Sequence, residues 1–127
     1  MKFMAKRKSI HIEGLSHLTA IPVGTRIGPL LVSSVIGPFD PGTRNVPPKI
    51  EDQIHNVFIH VGSILAAGRA TWTDVAKMEF WLPDAAARPA LEEPWIEHFP
   101  DAASRPSRHT HVGGQGITAS FIAYVDG

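Results

Sequence analysis

The residues with the greatest chemical capacity in this chain lie in the run Ser104-Arg105-Pro106-Ser107-Arg108-His109-Thr110-His111. As an extended strand, the run sends Arg108 and Thr110 to one face and His109 and His111 to the other. A guanidinium held on a strand grips a carboxylate through two parallel hydrogen bonds, each charge-assisted contact contributing about 1.5–3 kcal/mol where water is excluded. Arg108 is therefore the candidate anion clamp. The alternative for the same octapeptide is a solvated surface arginine, the commoner state of that residue type.

Other chemistries find less support. His109 and His111 share a face, but a catalytic metal needs three protein ligands and there is no His-Glu-x-x-His helix, so no metal is expected. They read as polar strand residues at a subunit seam, or as an acid or base near neutral pH if either reaches a cleft of a neighbouring chain. Ser33, Ser34 and Ser107 lack a nucleophile elbow. Gly113, Gly114 and Gly116 read as a hairpin turn between strands, because a phosphate loop would open onto a helix. No cofactor is expected. Trp72, Trp81 and Trp95 read as core and interface packing, and Glu92, Glu93 and Glu97 as a solvated helix face.

Composition narrows the partners. At 127 residues the chain suits one domain, spanning 1–127, with residues 1–8 a flexible basic tail. Twelve basic residues balance twelve acidic ones with no basic stripe, which argues against nucleic acid. The absence of cysteine removes disulfides, thiolate metal sites and a cysteine nucleophile. There is no apolar run long enough for a signal peptide or a membrane span, so no membrane partner and a cytoplasmic location are expected.

The elements that must position Arg108 follow from periodicity. Ile10–Gly14 reads as a short strand, and Ala20–Ile27 and Leu30–Ile36 as a hairpin turning at Gly28-Pro29, its second strand central. Residues 37–48, rich in glycine and proline, read as a mobile loop. Ile54, Val57, Phe58, Val61, Ile64 and Leu65 fall at helical spacing, with Glu51 and Asp52 in the first turn and Gly68 as the stop. Ala76, Met78, Phe80 and Leu82 alternate with Lys77, Glu79 and Trp81 as in a half-buried strand that ends at Pro83-Asp84. Residues 85–99 have helical composition, but Pro89 and Pro94 require a short, kinked or split helix.

The last strand, near Ile117–Val125, is apolar on both faces. Two helices cover only one side of a sheet of five or six strands, so the second face calls for another copy of the chain.

Gly28-Pro29-Leu30-Leu31-Val32-Ser33-Ser34, the helix from Gln53 to Gly68, Asp74-Val75-Ala76-Lys77 and Arg105-Pro106-Ser107-Arg108 together resemble the Rid family of reactive intermediate deaminases, also called YjgF-like proteins. The resemblance implies a chorismate-mutase-like α+β fold: a mixed sheet of about six strands with two helices on one face. It further implies a homotrimer around a central barrel, with ligand sites in clefts between subunits. By the same resemblance Arg108 binds the carboxylate of a small 2-imino acid, and backbone beside Thr110 helps to hold it.

Departures from the family pattern are specific. Ser120 falls where the deaminases carry the glutamate thought to position water, and a serine hydroxyl is a far weaker base. Ser33-Ser34 replaces a Ser-Gly pair, no aromatic matches the cleft residue around Thr19 to Pro22, and Glu92 stands for an asparagine. The expected site is thus Arg108 and Ser120 for catalysis, with Thr110, Ser34, Ser33 and Glu92 lining it. The expected reaction is hydrolysis of an imine or enamine to a keto product and ammonia. The alternative is a non-catalytic ligand-binding or regulatory trimer.

Overall fold

The structure is a computed structural model that describes residues 6–126. Six strands form one sheet: β1 (Arg7–Ile10), β2 (Gly24–Ile27), β3 (Leu30–Ser33), β4 (Val75–Leu82), β5 (Ser107–Val112) and β6 (Thr118–Tyr124), in the order β1-β2-β3-β6-β4-β5. Two α-helices, α1 (Ile50–Ala67) and α2 (Glu92–His98), pack on the sheet, giving the α+β architecture that the resemblance implies.

The strand β6 inserts antiparallel between β3 and β4, so those two run parallel and α1 is their crossover. β4 and β5 are directly parallel, and α2 lies in their crossover. Crossovers of one hand bring both helices to the same face. The core between the layers holds Leu31, Met78, Phe80, Leu82, Ala119, Phe121 and Ala123 from the sheet against Ile54, Val57, Phe58, Val61, Ile64 and Leu65 of α1, all at most 2% exposed.

Several sequence expectations hold. α1 carries its acidic residues in the first turn and is capped by Gly68, whose N–H reaches the Ile64 and Ala66 carbonyls. Residues 85–98 split into a 3-10 helix, Ala85–Leu91, that contains Pro89, and then α2. The hairpin β2–β3 turns at Gly28, whose φ of +53° suits glycine at the first turn position.

Others need correction. The first strand is Arg7–Ile10, paired with β2, so Arg7 and Lys8 belong to the sheet and not to a tail; the rest of the tail, residues 1–5, lies outside the described residues. As an edge strand with only Ile10 buried, it lacks the alternation that marks a strand. The second strand is shorter than Ala20–Ile27, starting at Gly24 beyond Pro22, whose carbonyl accepts from the Ser34 hydroxyl at 2.6 Å. The glycine segment after β5 is no hairpin, because β4 separates β5 from β6; Gly113 and Gly114, at φ +126° and +152°, carry the chain past the end of β4. Parallel pairing of β5 with β4 is a long-range choice that local turn chemistry does not reveal.

The 37–48 segment is irregular, as expected, but it is tied to α1. Asn56 donates to the Pro38 carbonyl and the Asp40 carboxylate, Gln53 donates to the Pro47 carbonyl, and His60 Nε2 lies 2.6 Å from the Phe39 carbonyl. These bonds explain why Gln53, Asn56 and His60 are buried in an otherwise apolar helix face.

Candidate functional site

β5 is one of the two edges of the sheet, and its register sets Arg108 beside Met78 and Thr110 beside Phe80 on the helix face, with His109 beside Glu79 on the other. The alternation read from sequence is therefore present. Arg108 lies over the ring of Trp95 at 5.0 Å, and its Nη2 donates to Glu92 Oε1 at 2.8 Å. Both partners come from the segment around α2, so the crossover that makes β4 and β5 parallel also places the platform and the counter-charge. An arginine stacked and half-paired in this way is pre-oriented, since its planar fork loses little further freedom when a second anion binds.

Two polar atoms remain without a partner among the described residues. Arg108 Nη1 and Thr110 Oγ1 are both buried and make no hydrogen bond there. Buried donors are nearly always satisfied, so a pair of orphans on one strand face calls for an explanation. The larger surface grooves lie elsewhere: about 620 Å³ beside Phe39, Val46 and Trp81, and about 550 Å³ between α1 and α2, neither lined by Arg108. In a single chain the Arg108 site is an open edge and not a closed pocket.

The other expected site residues lie apart from Arg108. Ser33 ends β3 and Ser34 follows it, where the ladder to β6 breaks and resumes at the Ile36–Ala119 bridge. The Ser33 hydroxyl accepts from the Phe121 N–H at 2.9 Å, and the Ser34 hydroxyl is bound to Pro22, so both serve as backbone partners in the gap. Ser120 pairs with Glu79 across the β6–β4 ladder, on the opposite face of the sheet from Arg108. Arg108, Thr110 and Glu92 thus form one group, and Ser33, Ser34 and Ser120 do not join it within the chain.

Two residues have roles that the sequence reading passed over. Trp95 packs in the core against Phe80 and Phe99, as expected, and in addition serves as the platform for the guanidinium. Glu79 faces the histidines: its Oε2 is 2.8 Å from His111 Nε2, and Lys77 Nζ is 3.8 Å from Oε1. The hydrogen bond from His111, with help from the Lys77 charge, holds the Glu79 carboxyl below its usual range. The alternation of β4 places Glu79 outward, but only knowledge that β4 and β5 are neighbours would have joined it to His109 and His111.

No curated protein matches the sequence. Solved structures do match in fold. The YjgF gene product of E. coli is 19% identical with a TM-score of 0.81, covering 92% of this chain and 98% of its own. RidA from the Antarctic bacterium Psychrobacter sp. is 19% identical with a TM-score of 0.83, over 93% and 99%. E. coli TdcF, solved with bound serine, is 19% identical with a TM-score of 0.84, over 94% and 99%. By sequence, residues 20–114 match the family described as Endoribonuclease L-PSP, a match that spans most of the chain, including both Arg108 and Thr110. With this match and with YjgF and RidA among its structural neighbours, the chain belongs to the Endoribonuclease L-PSP family, that of the YjgF-like Rid proteins.

Proposed function

We propose that the chain binds a small carboxylate through Arg108 in a cleft between subunits of a homotrimer, and hydrolyses a reactive imine or enamine there. The observation that carries this reading is the pair of buried, unpartnered atoms Arg108 Nη1 and Thr110 Oγ1. A carboxylate set against them would take one hydrogen bond from each, while Trp95 and Glu92 keep the guanidinium in place. The open edge at β5 supports a site completed by a second copy. The similar E. coli TdcF was solved with bound serine, a small carboxylate, and that likeness favours the same ligand class.

In the reaction, water adds to the carbon of the C=N bond, nitrogen gains a proton, and the C–N bond of the resulting amino alcohol breaks to release ammonia and a keto product. Arg108 fixes the carboxylate so that the imine carbon meets water in one orientation. Within the chain the carboxylate nearest Arg108 is that of Glu92, and Ser120 lies on the other face. Catalysis then depends on a hydroxyl-held water, a histidine or Glu92 to move the proton, or on the substrate itself.

The position of Ser120 also favours a second reading, a ligand-binding trimer that keeps the anion clamp without hydrolysis. Ribonuclease activity has no basic patch to rest on, given twelve residues of each charge. A cytoplasmic location completes the reading, in keeping with the lack of cysteine and with the absence, among the described residues, of a helix long and apolar enough to cross a membrane.

The test is ammonia release from 2-iminopropanoate and 2-iminobutanoate generated by an amino-acid oxidase, with wild type and Arg108→Ala compared at equal concentration. Acceleration by wild type that Arg108→Ala loses is expected. No acceleration by wild type rejects this substrate class and leaves the binding reading. In that case gain of hydrolysis by Ser120→Glu would identify the natural protein as a binder.

A further inference from the structure

The sheet face away from the helices carries a second constellation that the carboxylate site does not use. β4 and β5 lie side by side in parallel register, with Glu79 opposite His109 and Trp81 opposite His111. One ligating atom from each of Glu79, His109 and His111 lies within 4.8 Å of the other two. The imidazoles are close, with ring centroids 3.9 Å apart, and Glu79 Oε2 is 2.8 Å from His111 Nε2. Trp81 stacks on His111 at 4.9 Å and 12°, which fixes the plane of that ring. We propose that Glu79, His109 and His111 bind a divalent transition-metal ion, of the zinc, cobalt, nickel or copper class.

The donor set determines the class. Two imidazoles and one carboxylate suit borderline ions, whereas calcium and magnesium take all-oxygen shells. Ligands about 2.1 Å from a shared zinc ion stand about 3.4 Å apart in a tetrahedron. Reaching that spacing from separations of at most 4.8 Å is a side-chain adjustment on a surface where His109 is exposed and the other two are half-buried. The β-ladder does the larger part of the work, because it fixes three Cα positions on two adjacent strands before any ion arrives.

Lys77 approaches Oε1 of Glu79, which leaves Oε2 directed at the histidines. Binding replaces the hydrogen bond between Glu79 and His111 with a bond from each side chain to the ion. Three protein ligands leave a coordination position for water, on the face that also carries Ser120 beside Glu79. The site lies on the opposite face of β5 from Arg108, the face that the proposed trimer turns towards its other copies.

The experiment uses full-length protein without a histidine tag, stripped with a chelator and titrated calorimetrically with zinc chloride and, separately, cobalt chloride. One ion per chain is expected, with a cobalt absorption spectrum carrying nitrogen-ligand bands. His109→Ala and His111→Ala should each weaken binding by more than about 100-fold, beyond the loss of about 10–100-fold that removing an indirect partner causes. Glu79→Gln should weaken it as well, and His17→Ala and His55→Ala should not. Excess magnesium or calcium should not compete. Copper should quench wild-type tryptophan fluorescence, and Trp81→Phe should remove most of that quenching while one ion still binds.

Any of three results overturns the proposal: no saturable binding by wild type, binding unchanged in folded His109→Ala, or one ion per three chains. His109 is exposed, so its alanine variant tests the site without disturbing the core; circular dichroism checks its fold.

Discussion

Arg108 uses only part of its donor capacity inside the chain, and Thr110 uses none of its hydroxyl. A buried hydroxyl without a partner is unfavourable by about 1–3 kcal/mol. Thr110→Val keeps the shape and removes that group. Its melting temperature is expected to equal or exceed that of wild type while carboxylate binding weakens, the opposite pairing from a residue kept for packing. A loss of stability with unchanged binding would show that Thr110 is a structural residue.

Glu79 gives a second prediction at this scale. Its carboxyl titrates below its usual range chiefly because His111 donates to it, so the charged form is favoured in the folded protein. The resulting stabilisation is fully present above the unfolded carboxylate value of about 4.3 and is lost as pH falls through the lower folded value. The melting-temperature difference between wild type and Glu79→Gln should therefore hold steady above about pH 5 and shrink in stronger acid. A difference that grows on acidification would contradict this assignment.

At the scale of elements, the break between β3 and β6 is bridged by one side chain. Ser33 Oγ accepts the Phe121 N–H that the interrupted ladder leaves free. Ser33→Ala should destabilise the protein by about 1–3 kcal/mol, seen as a lower denaturant midpoint and faster exchange of the Phe121 amide. Unchanged exchange there would mean that another acceptor takes over.

The same stretch shows what was legible in the sequence. The hydroxyls of Ser33 and Ser34 marked an unusual position, but their partners, Phe121 and Pro22, are set by tertiary pairing and left no local trace. Periodicity located α1, β4 and the core face of β6 because each buries one regular stripe. It missed β1, which buries a single residue, and the order of β4, β5 and β6, which depends on non-local pairing. Arg108 and Thr110 were readable as a strand pair; Glu79 was not, because its meeting with the histidines exists only across the β4–β5 ladder.

At the scale of the whole molecule, the two faces of the sheet differ. One is sealed by α1 and α2. The other presents Ile27, Leu30, Ile122 and Tyr124 at 37–58% exposure, with Leu30 directly opposite both Ile27 and Tyr124 in the ladders. A contiguous apolar strip of this kind favours association, and burial at about 25 cal/mol per Å² is the driving force. Sedimentation equilibrium should give three times the chain mass, and Ile122→Lys should shift it towards the monomer. A wild-type monomer at micromolar concentration would contradict the oligomer.

The most direct measurement of the central claim is calorimetric titration of the intact assembly with 2-oxobutanoate, a stable keto acid of the proposed product class. Arg108→Lys keeps the charge but loses the planar fork. The expected result is one ligand per chain in wild type and binding weakened by about tenfold or more in Arg108→Lys, equivalent to about 1.4 kcal/mol. Equal affinity in the two proteins, or no binding in wild type, would contradict Arg108 as the carboxylate clamp.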